Sequence, residues 1–312
     1  PFFGVDVDQL RPGQSAVIDE STPGYPVTSL QDLPAGEYYA KAIFNVYTEF
    51  HRQDGHIIRA HMDQWEGQHF NFSPGNLVSK VTRATIKSQG KSRIKLSLDD
   101  VIRAEPVPEN SKWVHRVKIK SELLSKFWGR PVFLGATILL PKGYETHKDV
   151  SYPSVYCQGH FNLQPPLGFR SDPIKETAEQ IARRTARGLE NGYQLYQSWA
   201  SENFPRMLCV TFQHPTPFFD DSYAVNSANN GPYADALIQE LIPHLEKTYR
   251  MIPEGYARVL TGGSTGGYEA MALQVHHPRT FGGSWIFYPD PVDFRSVFQV
   301  NIYEDTNAFS VP

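Results

Sequence analysis

Six residues, Gly262-Gly263-Ser264-Thr265-Gly266-Gly267, constrain this chain more than any other stretch, because a strand pattern runs into them and a helix pattern runs out. Arg258, Val259, Leu260 and Thr261 read as a short apolar strand, and 268–277 as a helix ended by Pro278. So short a connection between a strand and a helix requires a sharp backbone reversal. Small residues permit it, and it lifts the Ser264 hydroxyl over the end of the sheet. The Thr265 amide would then point to where negative charge develops on an attacked carbonyl oxygen. A glycine-rich connector without chemistry also satisfies the five-residue pattern. The two flanks favour a nucleophile.

The chain's 312 residues, 40% of them hydrophobic, are enough for one large or two modest cored domains. A net charge of −3 with scattered Lys and Arg argues against a nucleic-acid partner. The longest uncharged apolar run, about 132–141, is too short to span a bilayer, and no signal-peptide pattern opens the chain. The first residue is Pro1 rather than Met, which gives the expectation of a removed leader or a trimmed chain, and of a soluble secreted or periplasmic protein. Cys157 and Cys209 each fall in an apolar strand pattern and read as small buried hydrophobes; a disulfide needs neighbouring strands, and parallel geometry seldom suits one.

Residues 1–110 show short alternating runs at 37–46, 56–62, 80–86 and 93–98, separated by turn residues such as Asp54-Gly55 and Pro74-Gly75-Asn76. Their spacing predicts a small all-β, sandwich-like domain, with a Pro-rich linker at 104–111. Over 111–312 strands alternate with helices: strands at 113–120, 132–140, 153–157, 207–212, the elbow strand and 283–288. Asp172-Pro173 predicts the start of a helix running to about Gly188, and 232–249 an amphipathic helix bent at Pro243. The pattern predicts an α/β domain with a mostly parallel sheet.

Four ordered stretches of this second region resemble the putative esterase family of α/β-hydrolases, which holds esterase D, feruloyl esterases and mycolyltransferases. They are Leu139-Leu140-Pro141-Lys142-Gly143-Tyr144, Tyr156-Cys157-Gln158-Gly159-His160-Phe161, Glu240-Leu241-Ile242-Pro243 and the elbow itself. Gln158 stands where the family usually has a histidine, and Thr265 where it has Met or Leu. The resemblance implies a serine-dependent carboxylic ester hydrolase with Ser264 as nucleophile and the amides of Thr265 and His160 as oxyanion donors. It implies no cofactor, and a small-molecule or glycan-linked ester as substrate. It also implies an acid and then a histidine later in the chain. Only His276 and His277 follow Ser264, at the far end of the elbow helix, roughly 18 Å away at 1.5 Å per residue. Three expectations stay open: further polypeptide completes the sheet's C-terminal strands and supplies the base; His160 or His214 serves; or the fold is a noncatalytic binding scaffold. An acyltransferase of the same family is a further alternative.

Asp290, between Pro289 and Pro291 at the end of the sixth strand, is the candidate acid, against the plainer reading of a turn residue. The aromatic and polar loop 213–230 holds Phe218, Phe219 and Tyr223, which together with Phe161 are the candidate substrate wall. His51, His56, His61, Asp63 and His69 crowd one region, but their spacing gives no tight ligand pair and no metal site is expected.

Overall fold

The computed structural model describes residues 1–60, 73–87, 92–160, 163–218, 221–297 and 300–306. It divides into two compact units, Pro1–Asn45 with Gly75–Ile102, and Val46–Pro74 with Arg103–Pro312.

The first unit is built from short antiparallel pairings. Gly36–Ala40 pairs with Thr82–Ile86, Leu77–Val78 sits between Ile43–Phe44 and Asp100–Val101, and Phe2–Phe3 pairs with Gly24–Tyr25. The run read as one strand over 37–46 is broken at Lys41-Ala42, where the Ala42 amide and carbonyl bond to Ser79 instead of a ladder. The strand expected at 93–98 does not form; its alternation is real, but no described strand pairs with it. Of that crowded group of four histidines and Asp63, His61, Asp63 and His69 lie outside the described residues. Among the described residues no group of three metal-ligating side chains converges.

The second unit is organised on a six-stranded sheet. Its strands are β1 (Val114–Ser121), β2 (Val132–Leu139), β3 (Ser154–Gln158), β4 (Leu208–Gln213), β5 (Arg258–Ser264) and β6 (Gly283–Pro289). Their spatial order is β1-β2-β4-β3-β5-β6; β2 runs antiparallel to both its neighbours and every other pairing is parallel. This is the mostly parallel α/β sheet that the alternation of strands and helices predicts.

Side chains alternate across the sheet with the two-residue period of a strand. Leu134, Ala136, Ile138, Tyr156, Val210, Phe212 and Leu260 join one buried cluster, whereas Leu139, Cys157 and Cys209 join another on the opposite face. The first cluster includes residues of α1 (Glu122–Trp128) and α6 (Thr265–His276), and also Phe50, whose hairpin, Thr48–His51 with Ile57–Ala60, belongs to this unit. The ring of Phe50 meets that of Trp128 edge-on at 5.4 Å. The cysteines do stand on neighbouring strands, as free thiols with Sγ atoms 2.9 Å apart.

Two helix expectations change. The helix foreseen from Asp172-Pro173 begins later, as α2 (Ala178–Thr185), because Thr177 and Gln180 form a reciprocal capping box that fixes the start. In the same way, Asn191 and Gln194 cap α3 (Gly192–Trp199). The run 233–249 is helical throughout. It opens as α4 (Tyr233–Ala236), widens into a π-helical stretch at Leu237–Leu241, and continues as α5 (Ile242–Tyr249). Pro243 lacks an amide hydrogen and crowds the preceding turn, and the widened turn absorbs both defects. Glu240, on that stretch, accepts from the amides of Glu122 and Leu123 at 3.0 Å and from the Ser121 hydroxyl, which ties it to the start of α1.

Candidate active site

Ser264 is the last residue of β5 and the N-cap of α6, with φ 56° and ψ −126°. A serine in this sparsely populated region stores strain, and only its surroundings hold it there. The surroundings are tight. An ideal Cβ on Gly262 would stand 2.1 Å from the Gly266 carbonyl oxygen, and one on Gly266 would stand 2.1 Å from that of Gln158. Strand, turn and helix backbones therefore touch where the sequence places its glycines. Ser264 itself is exposed.

The sheet edge delivers Asp290. The β5–β6 register shifts between Gly263 and Ser264, so that Ser264 faces Pro289. The Asp290 amide donates to the Ser264 carbonyl at 3.1 Å, the Ser264 hydroxyl donates to Asp290 Oδ1 at 3.1 Å, and the Thr265 hydroxyl donates to Oδ2 at 2.8 Å. The Tyr223 hydroxyl, its pKa raised by burial, adds a fourth bond to Asp290 at 3.2 Å. Thr265 is the first residue of α6, so its amide lies in the turn whose N–H groups have no acceptor within the helix.

His160 follows β3 on the adjacent loop. Its Nδ1 lies 2.9 Å from Asp221 Oδ2 and its Nε2 lies 3.3 Å from Thr265 Oγ1, with the ring 65% exposed and the carboxyl 2% exposed. Asp221 Oδ1 accepts from the Tyr223 amide at 3.0 Å.

Behind the elbow lies a second, buried pair. Glu269 of α6 is fully buried; its Oε2 accepts from the Gly159 amide at 3.0 Å and its Oε1 stands 3.9 Å from His214 Nε2. Burial first, and then the charges of Asp221 and Asp290, hold the Glu269 pKa well above the usual carboxyl range. Burial pushes His214 down to about 4, and its Nδ1 accepts from the Ser222 amide at 3.1 Å.

The chain matches the family model described as "Putative esterase" over residues 134–289, half of its length, from within β2 to the end of β6. It belongs to that esterase family. Solved structures similar to it include a ferulic acid esterase (20% identity, TM-score 0.38, 56% of this chain and 58% of the other). Two more are an S-formylglutathione hydrolase from Agrobacterium tumefaciens (12%, 0.39, 60% and 63%) and the enterobactin esterase FES from Shigella flexneri (18%, 0.31, 56% and 36%). The chain spans less than two thirds of each. No curated protein matches it.

Of the expected site residues in this esterase-family chain, Ser264, Thr265, Asp290, His160 and Tyr223 form one hydrogen-bonded cluster. Phe218 is partly exposed and packs edge-on against Trp128 at 5.9 Å. Phe161 and Phe219 lie outside the described residues. Among the described residues the side-chain partner of Ser264 is Asp290 and not an imidazole. Asp221 and Glu269 were missed. Glu269 had a visible signal, as the one carboxyl in the elbow helix; Asp221 had none, being one polar residue in a polar loop.

Proposed function

We propose that this protein is a serine-dependent carboxylic ester hydrolase working through an acyl-enzyme on Ser264. The observation that carries the reading is the exposed Ser264 at φ 56° on a strand–helix junction too tight for side chains. Ser264 Oγ attacks the ester carbonyl carbon as its proton passes to a base, and the carbonyl oxygen becomes an oxyanion facing the amides of Thr265 and His160. The leaving alcohol takes the proton, and water then repeats the attack to release the acid. Asp290 orients the hydroxyls of Ser264 and Thr265 in the resting site. The substrate is a small-molecule or glycan-linked ester placed against Tyr223 and Phe218, and no cofactor is called for.

The base is proposed to come from further polypeptide, covalent or associated, lying beside β6. What favours this is the exposure of Trp285 (63%), Phe287 (52%) and Tyr288 (80%) on an edge strand, an apolar surface that soluble sheets ordinarily cover. Labelling with a fluorophosphonate probe tests the nucleophile. An adduct mapped to Ser264 is the expected result, and an unlabelled protein points to a binding scaffold. Acyl transfer to an added alcohol in preference to water identifies an acyltransferase.

A further inference from the structure

Glu269 has no part in the chemistry outlined above, yet it is the fully buried carboxyl of the elbow helix and its position is costly. One oxygen accepts a single amide hydrogen bond, from Gly159, and the other has no hydrogen-bond partner among the described residues. A buried acid with half its hydrogen-bonding capacity unmet stabilises a fold less than an apolar side chain of similar size would. Packing does not account for the residue, so the bond it makes is the place to look.

That bond joins the two halves of the site. Glu269 sits on the helix that Ser264 begins, and Gly159 is one residue before His160, whose amide is a proposed oxyanion donor. The first turn of α6 already lies on this loop: a Cβ on Gly266 would come within 2.8 Å of the Gly159 nitrogen. Gly159 has φ +148°, a conformation L side chains rarely adopt, so the local chain does not fix the loop by itself. Glu269 supplies an external anchor for its peptide plane.

We infer that Glu269 is a positioning residue, whose carboxyl holds the Gly159 amide and thereby sets the direction of the His160 amide toward the reacting carbonyl oxygen. The role rests on the esterase reading above for its consequence and on the hydrogen bond for its geometry. The ionisable groups facing it are His214 at the end of β4, and Asp221 and Asp290, whose charges act on it. Because the anchor needs only an acceptor oxygen, the amide of glutamine can replace it, whereas methionine has the length and lacks the acceptor.

Glu269→Met and Glu269→Gln, each shown to be folded by circular dichroism at the assay temperature, test the inference against parent and Ser264→Ala. Loss of an oxyanion donor costs about 10²–10³ in kcat, and a displaced donor is expected to cost less. Glu269→Met should therefore lower kcat by about 10–100-fold with KM little changed, and Glu269→Gln should restore most of it. In parallel, amide hydrogen exchange at Gly159 should quicken by at least about tenfold in Glu269→Met and stay slow in Glu269→Gln. Parental kcat in Glu269→Met, or a Gln variant no better than the Met variant, overturns the positioning role. If the protein assayed together with the polypeptide that supplies the base shows no Ser264-dependent turnover the esterase reading falls, and unchanged Gly159 exchange in Glu269→Met then overturns the anchor on its own.

Discussion

Ser264 carries the most direct prediction. Ser264→Ala should leave the fold intact and lower hydrolysis of short p-nitrophenyl esters by about 10⁴-fold or more, since a nucleophile that acts as a unit with its partners cannot be partly replaced. Steady-state turnover of the purified variant is the check, and most of the parent's rate remaining would remove Ser264 from the mechanism. His214 carries a prediction about pH. Buried and neutral, it has its pKa pushed to about 4, below the ordinary imidazole value of 6.5. A group whose folded pKa is depressed contributes stability that is present above its unfolded pKa and is lost as pH falls through the folded one. The loss should therefore run from about pH 6.5 to pH 4 and amount to roughly 3 kcal/mol. His214→Asn keeps an acceptor for the Ser222 amide without the titration, so its Tm should fall less than the parent's over that interval.

At the scale of elements, the elbow depends on the backbones of β3, β5 and α6 meeting without side chains between them. Gly266→Val places a branched side chain where a single Cβ already stands 2.1 Å from the Gln158 carbonyl oxygen and 2.8 Å from the Gly159 nitrogen. The strand and helix must part, so the variant should lose about 1–3 kcal/mol of stability and most of its activity. A soluble variant with parental Tm and kcat would show that the junction is looser than described. The strands of the second unit were legible because continuous apolar runs such as 132–140 and 207–212 suit a sheet buried on both faces. The start of α2 was not, since Asp172-Pro173 has the local pattern of a helix start and only the reciprocal bonds of Thr177 and Gln180 show where the helix begins.

For the whole molecule, the prediction concerns β6. If further polypeptide covers Trp285, Phe287 and Tyr288, the active species should contain more than the 35.3 kDa of these residues, either in one chain or as a complex. Intact-mass analysis and light scattering of active material measure this. Active protein of 35.3 kDa alone, silenced by His160→Ala or His214→Ala, would place the base within the 312 residues instead.

The sequence by itself determined the sheet, the elbow and Ser264, because those features are written in local patterns: apolar runs, glycine spacing, and a strand followed at once by a helix. Only the tertiary structure decided what surrounds the serine. Asp290 reaches it across 26 residues, His160 reaches Thr265 across 105, and Glu269 reaches Gly159 across 110. Such contacts are set by the order and register of parallel strands, and no local periodicity records which strand ends will lie side by side.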